Sequence, residues 1–115
     1  MQVINHFING EHFQGQNKNT VDVFNPATGE IAAHVALASQ QETEEAIRVA
    51  TEALPSWANT PPLKRARVMF KFKELLEEHI DDLAAMITNE HGKVLSDAKG
   101  EIARGIEVVE FACGI

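Results

Sequence analysis

With 17 acidic against 10 basic residues in 115, the chain carries a formal charge of −7, which leaves a nucleic acid or an anionic membrane without electrostatic support as a partner. Its 44% hydrophobic content can furnish the core of one ordinary domain, and the single cysteine, Cys113, excludes an intramolecular disulfide and a zinc site of the usual thiolate kind. The opening MQVINHFING has no basic stretch followed by an apolar run, and nothing later approaches the ~20 apolar residues of a membrane span, so the chain reads as soluble and cytoplasmic, in a reducing compartment.

In chain order, Phe7 and Ile8 stand before Asn9-Gly10 and Phe13 after it, the strongest short signal for a hairpin, because both turn residues of a type I′ turn need positive φ. Gln14 to Thr20 reads as a polar loop. Val21, Val23 and Phe24 predict a short strand halted by Asn25-Pro26-Ala27-Thr28-Gly29, and Glu30 to Leu37 resumes as a strand with Ile31, Ala33, Val35 and Leu37 on one face. The opening third is thus expected to be a small antiparallel β unit. Ser39 and Glu42 form an S-x-x-E capping box ahead of a helix with Ala46, Ile47, Ala50, Ala53 and Leu54 as its apolar positions; Pro55 is expected to close it and Trp57 to plug a corner between helices. Pro61-Pro62 opens a long helical stretch with a stripe of Val68, Met69, Phe72, Leu75, Leu76, Ile80, Leu83, Ala84 and Ile87. Its basic residues come early and its acidic ones late, against the helix dipole, which predicts a break near His79 to Asp81 and a fresh helix with an acidic first turn. Gly92 reads as a stop, and Ser96 or Asp97 as the cap of a final helix.

That final stretch, Leu95 to Ile115, spaces Ile102, Gly105, Ile106, Val109 and Cys113 as a helical stripe, widened by Val108, Phe111, Ala112 and Ile115. A helix apolar over so much of its circumference expects partners on several sides. It stops without a terminating signal, as a piece of something larger would.

Residues able to carry chemistry are few. Gly92, Gly100, Gly105 and Gly114 are too widely spaced for a phosphate loop, and none follows a buried strand, so no dinucleotide site is expected within the chain. His6, His12, His34, His79 and His91 include no i, i+4 ligand pair, and no metal site is expected. Glu74, Glu77, Glu78, Asp81 and Asp82 read as a solvated helix face. Cys113 sits on the apolar stripe with no basic neighbour in sequence to activate it and reads as a core thiol. Arg104, between Gly100-Glu101 and Gly105, stands apart: a guanidinium holds a carboxylate with two parallel hydrogen bonds, and nearby glycines allow close approach. From the residues alone, a structural ion pair of Arg104 with Glu101, Glu107 or another acidic residue is the favoured reading.

Four motifs in order, Phe7-Ile8-Asn9-Gly10-Glu11, Asn25-Pro26-Ala27-Thr28-Gly29-Glu30, Ala53-Leu54-Pro55-Ser56-Trp57 and Glu90-His91-Gly92-Lys93, resemble the N-terminal portion of the aldehyde dehydrogenase superfamily. Gly100-Glu101, Arg104-Gly105 and Val108-Val109-Glu110-Phe111-Ala112 look like the matching helix of its CoA-acylating, methylmalonate-semialdehyde branch. The resemblance implies an α/β fold class, the N-terminal part of the aldehyde dehydrogenase fold, with short antiparallel strands in 1–38 followed by three or four helices in 39–115. It implies an incomplete chain, lacking the Rossmann core and the catalytic domain.

In the complete family enzyme a cysteine thiolate attacks the semialdehyde, hydride passes to NAD, and the acyl group goes to coenzyme A with loss of CO2, giving propanoyl-CoA or acetyl-CoA. NAD and coenzyme A are the cofactor and cosubstrate so implied, and none is expected to bind this chain alone. The family's nucleophile, oxyanion asparagine and NAD contacts match nothing here, so no catalytic and no cofactor-binding residue is carried over, and Cys113 does not fit the nucleophile's motif. Arg104 matches an arginine that holds the substrate carboxylate. The implied partners are the remainder of the dehydrogenase polypeptide and further copies in a homo-oligomer. A free-standing helical protein-binding module, and a segment of another aldehyde dehydrogenase with a different substrate, are the competing readings.

Overall fold

The computed structural model describes residues 2–15 and 19–115. Part of the polar loop expected from Gln14 to Thr20 lies outside them. Five short strands precede four helices: β1 (Gln2–Ile4), β2 (His6–Ile8), β3 (Glu11–Phe13), β4 (Thr20–Phe24), β5 (Ile31–Ala36), α1 (Gln40–Asn59), α2 (Pro62–Glu78), α3 (Ile80–His91) and α4 (Leu95–Ala112). They form two compact units, Met1–Asn59 and Thr60–Ile115, so α1 groups with the strands and the division falls one helix later than the 38/39 boundary expected from the sequence.

In the first unit, β2 and β3 make the expected hairpin, with Asn9 at φ 57° and Gly10 at φ 77°, both left-handed as a type I′ turn requires. β4 pairs antiparallel with β5, with a register shift between Val23 and Phe24. The turn between them is held by Asn25, whose Oδ1 accepts from the Ala27 amide at 2.9 Å, and by Gly29 at φ 74°. One pairing differs from the expected all-antiparallel unit: β1, only three residues long, runs parallel to β5, giving the sheet order β1-β5-β4. The strict alternation expected along β5 is not found: Ala33 and Ala36 are its buried residues, while Ile31 and Leu37 stay exposed.

The capping box at the start of α1 closes as the sequence predicts: the Glu42 amide donates to Ser39 Oγ at 3.2 Å, and the Ser39 amide to Glu42 Oε2 at 2.6 Å. Pro55 does not end this helix, which runs through it to Asn59. Proline forfeits a single amide bond, and the residues on either side continue the helical path around it. Trp57 accordingly lies inside α1, not after its end, and is 43% exposed. Ile47 and Leu54, expected inside, are 62% and 59% exposed, while on the neighbouring line Glu42 is buried and Ala46 and Val49 are half-buried.

In the second unit α2 and α3 break at His79, with Asp81 and Asp82 in the first turn of α3, as the charge order predicts. Gly92 caps α3 at φ 87°, its amide donating to Thr88 O at 2.8 Å. Val94, not Ser96 or Asp97, is the N-cap of α4; it makes no side-chain cap bond, and the Asp97 and Ala98 amides turn back to Val94 O instead. Ala84 on α3 and Ala98 on α4 have no exposed surface, and these short side chains let the two helices approach closely. Lys73, expected on the polar face of α2, is only 22% exposed, its Nζ 2.7 Å from Glu77 Oε1.

Candidate functional site

α4 divides its circumference between two environments. Ala98, Ile102, Ile106, Val109 and Cys113 recur on the face turned to α2 and α3, where Ala98, Ile106 and Cys113 are buried. At 100° per residue, Gly100, Arg104, Val108 and Phe111 fall on the opposite face, and there Val108 is 68% and Phe111 75% exposed. The sequence joined both groups into one broad stripe. In the structure only half of that stripe is occupied within the unit, and Arg104 belongs to the unoccupied half.

The local geometry leaves the Arg104 guanidinium uncommitted. Among the described residues it makes no ion pair, and Glu101, one of the two acids three positions away in sequence, is held instead by Lys93, Nζ to Oε1 at 2.9 Å. Lys93 keeps the Glu101 carboxyl below the ordinary glutamate range, with smaller contributions from the charges of Arg104 and His91. One turn before Arg104, a Cβ placed on Gly100 would lie 3.7 Å from Arg104 Nη1, so the guanidinium folds back over bare backbone, and around Gly105 the space is open. An exposed, unpaired guanidinium beside glycines and bordered by Val108 and Phe111 is suited to a ligand with one carboxylate and a short apolar body.

Cys113 behaves as a core thiol, 8% exposed, its Sγ donating to Val109 O at 3.3 Å. The acidic face is solvated and serves ion pairs: Asp81 holds Lys99 Nζ at 2.6 Å, Glu77 holds Lys73, and Glu74 holds Lys71 at 2.9 Å. His34 Nδ1 lies 2.8 Å from Asp22 Oδ1 across the β4–β5 ladder, a pairing that needs the strand register to be known. Among the described residues no group of three or more His, Cys, Asp or Glu could hold a metal ion, and no helix is long and apolar enough to cross a membrane. The turn from β5 into α1, Leu37-Ala38-Ser39, contains no glycine, so the chain's own residues do not fit a dinucleotide phosphate there.

Residues 13–115 match the model of the aldehyde dehydrogenase family. The chain belongs to that family. It is 49% identical over 113 residues to the malonate-semialdehyde dehydrogenase of Pseudomonas aeruginosa, a match covering 98% of this chain and 22% of that protein. It is 46% identical over 108 residues to the acylating, mitochondrial methylmalonate-semialdehyde dehydrogenase of Arabidopsis thaliana, covering 94% of this chain and 18% of the relative. Among solved structures, a protein of Sinorhizobium meliloti 1021 complexed with NAD and provisionally assigned as a methylmalonate-semialdehyde dehydrogenase superposes with a TM-score of 0.96 at 46% identity, over 99% of this chain and 23% of that one. This aldehyde dehydrogenase chain therefore spans about a quarter, or less, of the length of the relatives it matches. The α/β fold class expected from the resemblance is the fold observed.

The pairing of Lys93 with Glu101 is not legible in the sequence: Lys93 directly follows the helix-terminating Gly92, and its partner lies eight residues on, across the connection into α4.

Proposed function

We propose that residues 1–115 are the N-terminal segment of a NAD-dependent, CoA-acylating malonate- or methylmalonate-semialdehyde dehydrogenase, and that Arg104 holds the carboxylate of its semialdehyde substrate. The observation that carries the reading is the Arg104 guanidinium itself, exposed and unpaired while the adjacent Glu101 is taken by Lys93. The identity to proteins named for these semialdehydes supports the substrate class. Holding the carboxylate at one end fixes the distance from the anchor to the aldehyde carbon, so an arginine on α4 selects a short acid-aldehyde over a plain aldehyde and orients it for attack.

The nucleophilic thiolate, the hydride acceptor NAD and the acyl acceptor coenzyme A belong, in this reading, to the remainder of the polypeptide, which covers the outward face of α4. The bound cofactor supplies the oxidation of the aldehyde, and coenzyme A takes the acyl group as CO2 leaves. Homo-oligomer formation and a cytoplasmic site of action are part of the same proposal.

The test has two arms. The 115-residue chain, given either semialdehyde with NAD and coenzyme A, forms no NADH; robust turnover by it would overturn the segment reading in favour of a complete module. Joined to the remainder of the Pseudomonas aeruginosa relative, the chain supports turnover, and Arg104→Ala lowers kcat/KM for malonate semialdehyde relative to propanal. Loss of a charged hydrogen-bonded contact of ~2–4 kcal/mol corresponds to roughly 30- to 1,000-fold. Equal losses with both aldehydes would remove the carboxylate-anchor role.

A further inference from the structure

Resting on the proposed role of Arg104, a second residue of the same site can be assigned. Glu101 and Arg104 lie three positions apart on α4, glutamate first, which is the order in which a helical acid–base pair forms most readily. Such a pair would close the guanidinium against any incoming carboxylate. It does not form, because Glu101 is already engaged by Lys93 at 2.9 Å from outside the helix.

The backbone fixes Lys93 for this. It follows the left-handed cap at Gly92 and precedes Val94, the N-cap of α4, so it sits on a tight three-residue connection with little freedom to turn away. Its side chain is 20% exposed, against 43% for Glu101, so the aliphatic stem is packed and the ammonium is directed at the carboxylate. The groups acting on Glu101 are Lys93, Arg104 and His91, and Lys93 is the strongest of them. The other acid three positions away, Glu107, follows Arg104, the less favourable order, and no ion pair joins them.

We propose that Lys93 is a positioning residue: by occupying Glu101 it keeps the Arg104 guanidinium open for the substrate carboxylate. In its absence Glu101 turns along α4 and competes with substrate as an intramolecular anion. Lys93 touches neither substrate nor cofactor, and its effect falls on binding of carboxylated substrates alone.

The experiment uses the full-length enzyme formed by joining this chain to the remainder of the Pseudomonas aeruginosa relative, with Lys93→Met, Lys93→Arg, Lys93→Met/Glu101→Gln and Arg104→Ala compared. In Lys93→Met, KM for malonate semialdehyde rises about three- to tenfold with kcat held, on the scale of an exposed pair made somewhat stronger by cover, and the preference over propanal falls by the same factor. Lys93→Arg retains the preference, since it still holds Glu101. Adding Glu101→Gln to Lys93→Met restores it, because the competing charge is gone. A Lys93→Met enzyme with unchanged preference, beside an Arg104→Ala enzyme that loses it, would overturn the role of Lys93 and leave the anchor standing. Failure of Glu101→Gln to rescue would reduce Lys93 to a structural contact. An Arg104→Ala enzyme with no selective loss would overturn the anchor reading and this inference with it.

Discussion

Gly92→Ala is the perturbation whose size follows most directly from the structure. Gly92 sits at φ 87°, ψ 3°, a left-handed conformation that ends α3, with its amide bonded to Thr88 O at 2.8 Å. An L-alanine there loses about 1–2 kcal/mol to the approach of Cβ to the following carbonyl. Its stiffer unfolded chain returns about 0.4–1 kcal/mol of that. The net destabilisation is about 1 kcal/mol, a fall in melting temperature of roughly 4–8 °C for a unit of this size. Asparagine tolerates the left-handed region better, so Gly92→Asn loses less than Gly92→Ala. Thermal unfolding followed by circular dichroism at 222 nm ranks the three proteins. An alanine variant that melts with or above the parent, or an asparagine variant that melts below the alanine one, would show that the cap conformation is not what limits this position. The same variants report on the site, since Lys93, which pairs with Glu101, directly follows the cap.

Ser39→Ala removes the acceptor for the Glu42 amide and leaves the Glu42 carboxylate with half of its reciprocal box; the expected loss is about 1 kcal/mol, read from urea unfolding of the first unit. Arg104→Ala, at an exposed position with no ion pair among the described residues, changes stability by less than about 0.5 kcal/mol, so any loss of selectivity in that variant is not a folding defect; a melting point displaced by many degrees would contradict the geometry. The folded Glu101 carboxyl is held below the ordinary glutamate range first by Lys93, so its contribution to stability is present above that range and disappears as the pH falls through the lowered folded value. Carboxyl-carbon NMR titration reads this, and Lys93→Met brings the midpoint back up.

What could be read from the sequence was whatever is decided locally. The Asn9-Gly10 hairpin, the Ser39–Glu42 box, the change of helix at His79 and the stop at Gly92 each depend on a few adjacent residues, and each is found where the pattern puts it. What depends on distant partners was less legible. β1 pairs parallel with β5 across the whole β region, and no feature of Gln2–Ile4 alone announces a strand. Pro55 lies within α1 and does not end it, since proline forfeits one amide bond and the residues on either side continue the helix. Lys73, on the face read as solvated, is only 22% exposed and is ion-paired with Glu77 one turn on. Arg104 was found as a candidate by its glycine-flanked setting and its family resemblance; that it would be left unpaired could not be read, since this is decided by Lys93 across the α3–α4 connection.

The uneven burial raises a question of timing. Among the described residues no large side chain is fully buried, while Val108, Phe111, Ile47 and Leu63 are each more than 60% exposed. If the chain is the leading segment proposed above, the rest of a protein like the Pseudomonas aeruginosa relative, of which 113 matched residues are 22%, is about 400 residues, made at ~5–20 residues per second in roughly 20–80 s. For that interval the segment's helices are formed but their outward faces have nothing to cover them. In the enzyme proposed above that surface is an interior once the polypeptide is complete, and until then it is an apolar face of the kind holdase chaperones bind.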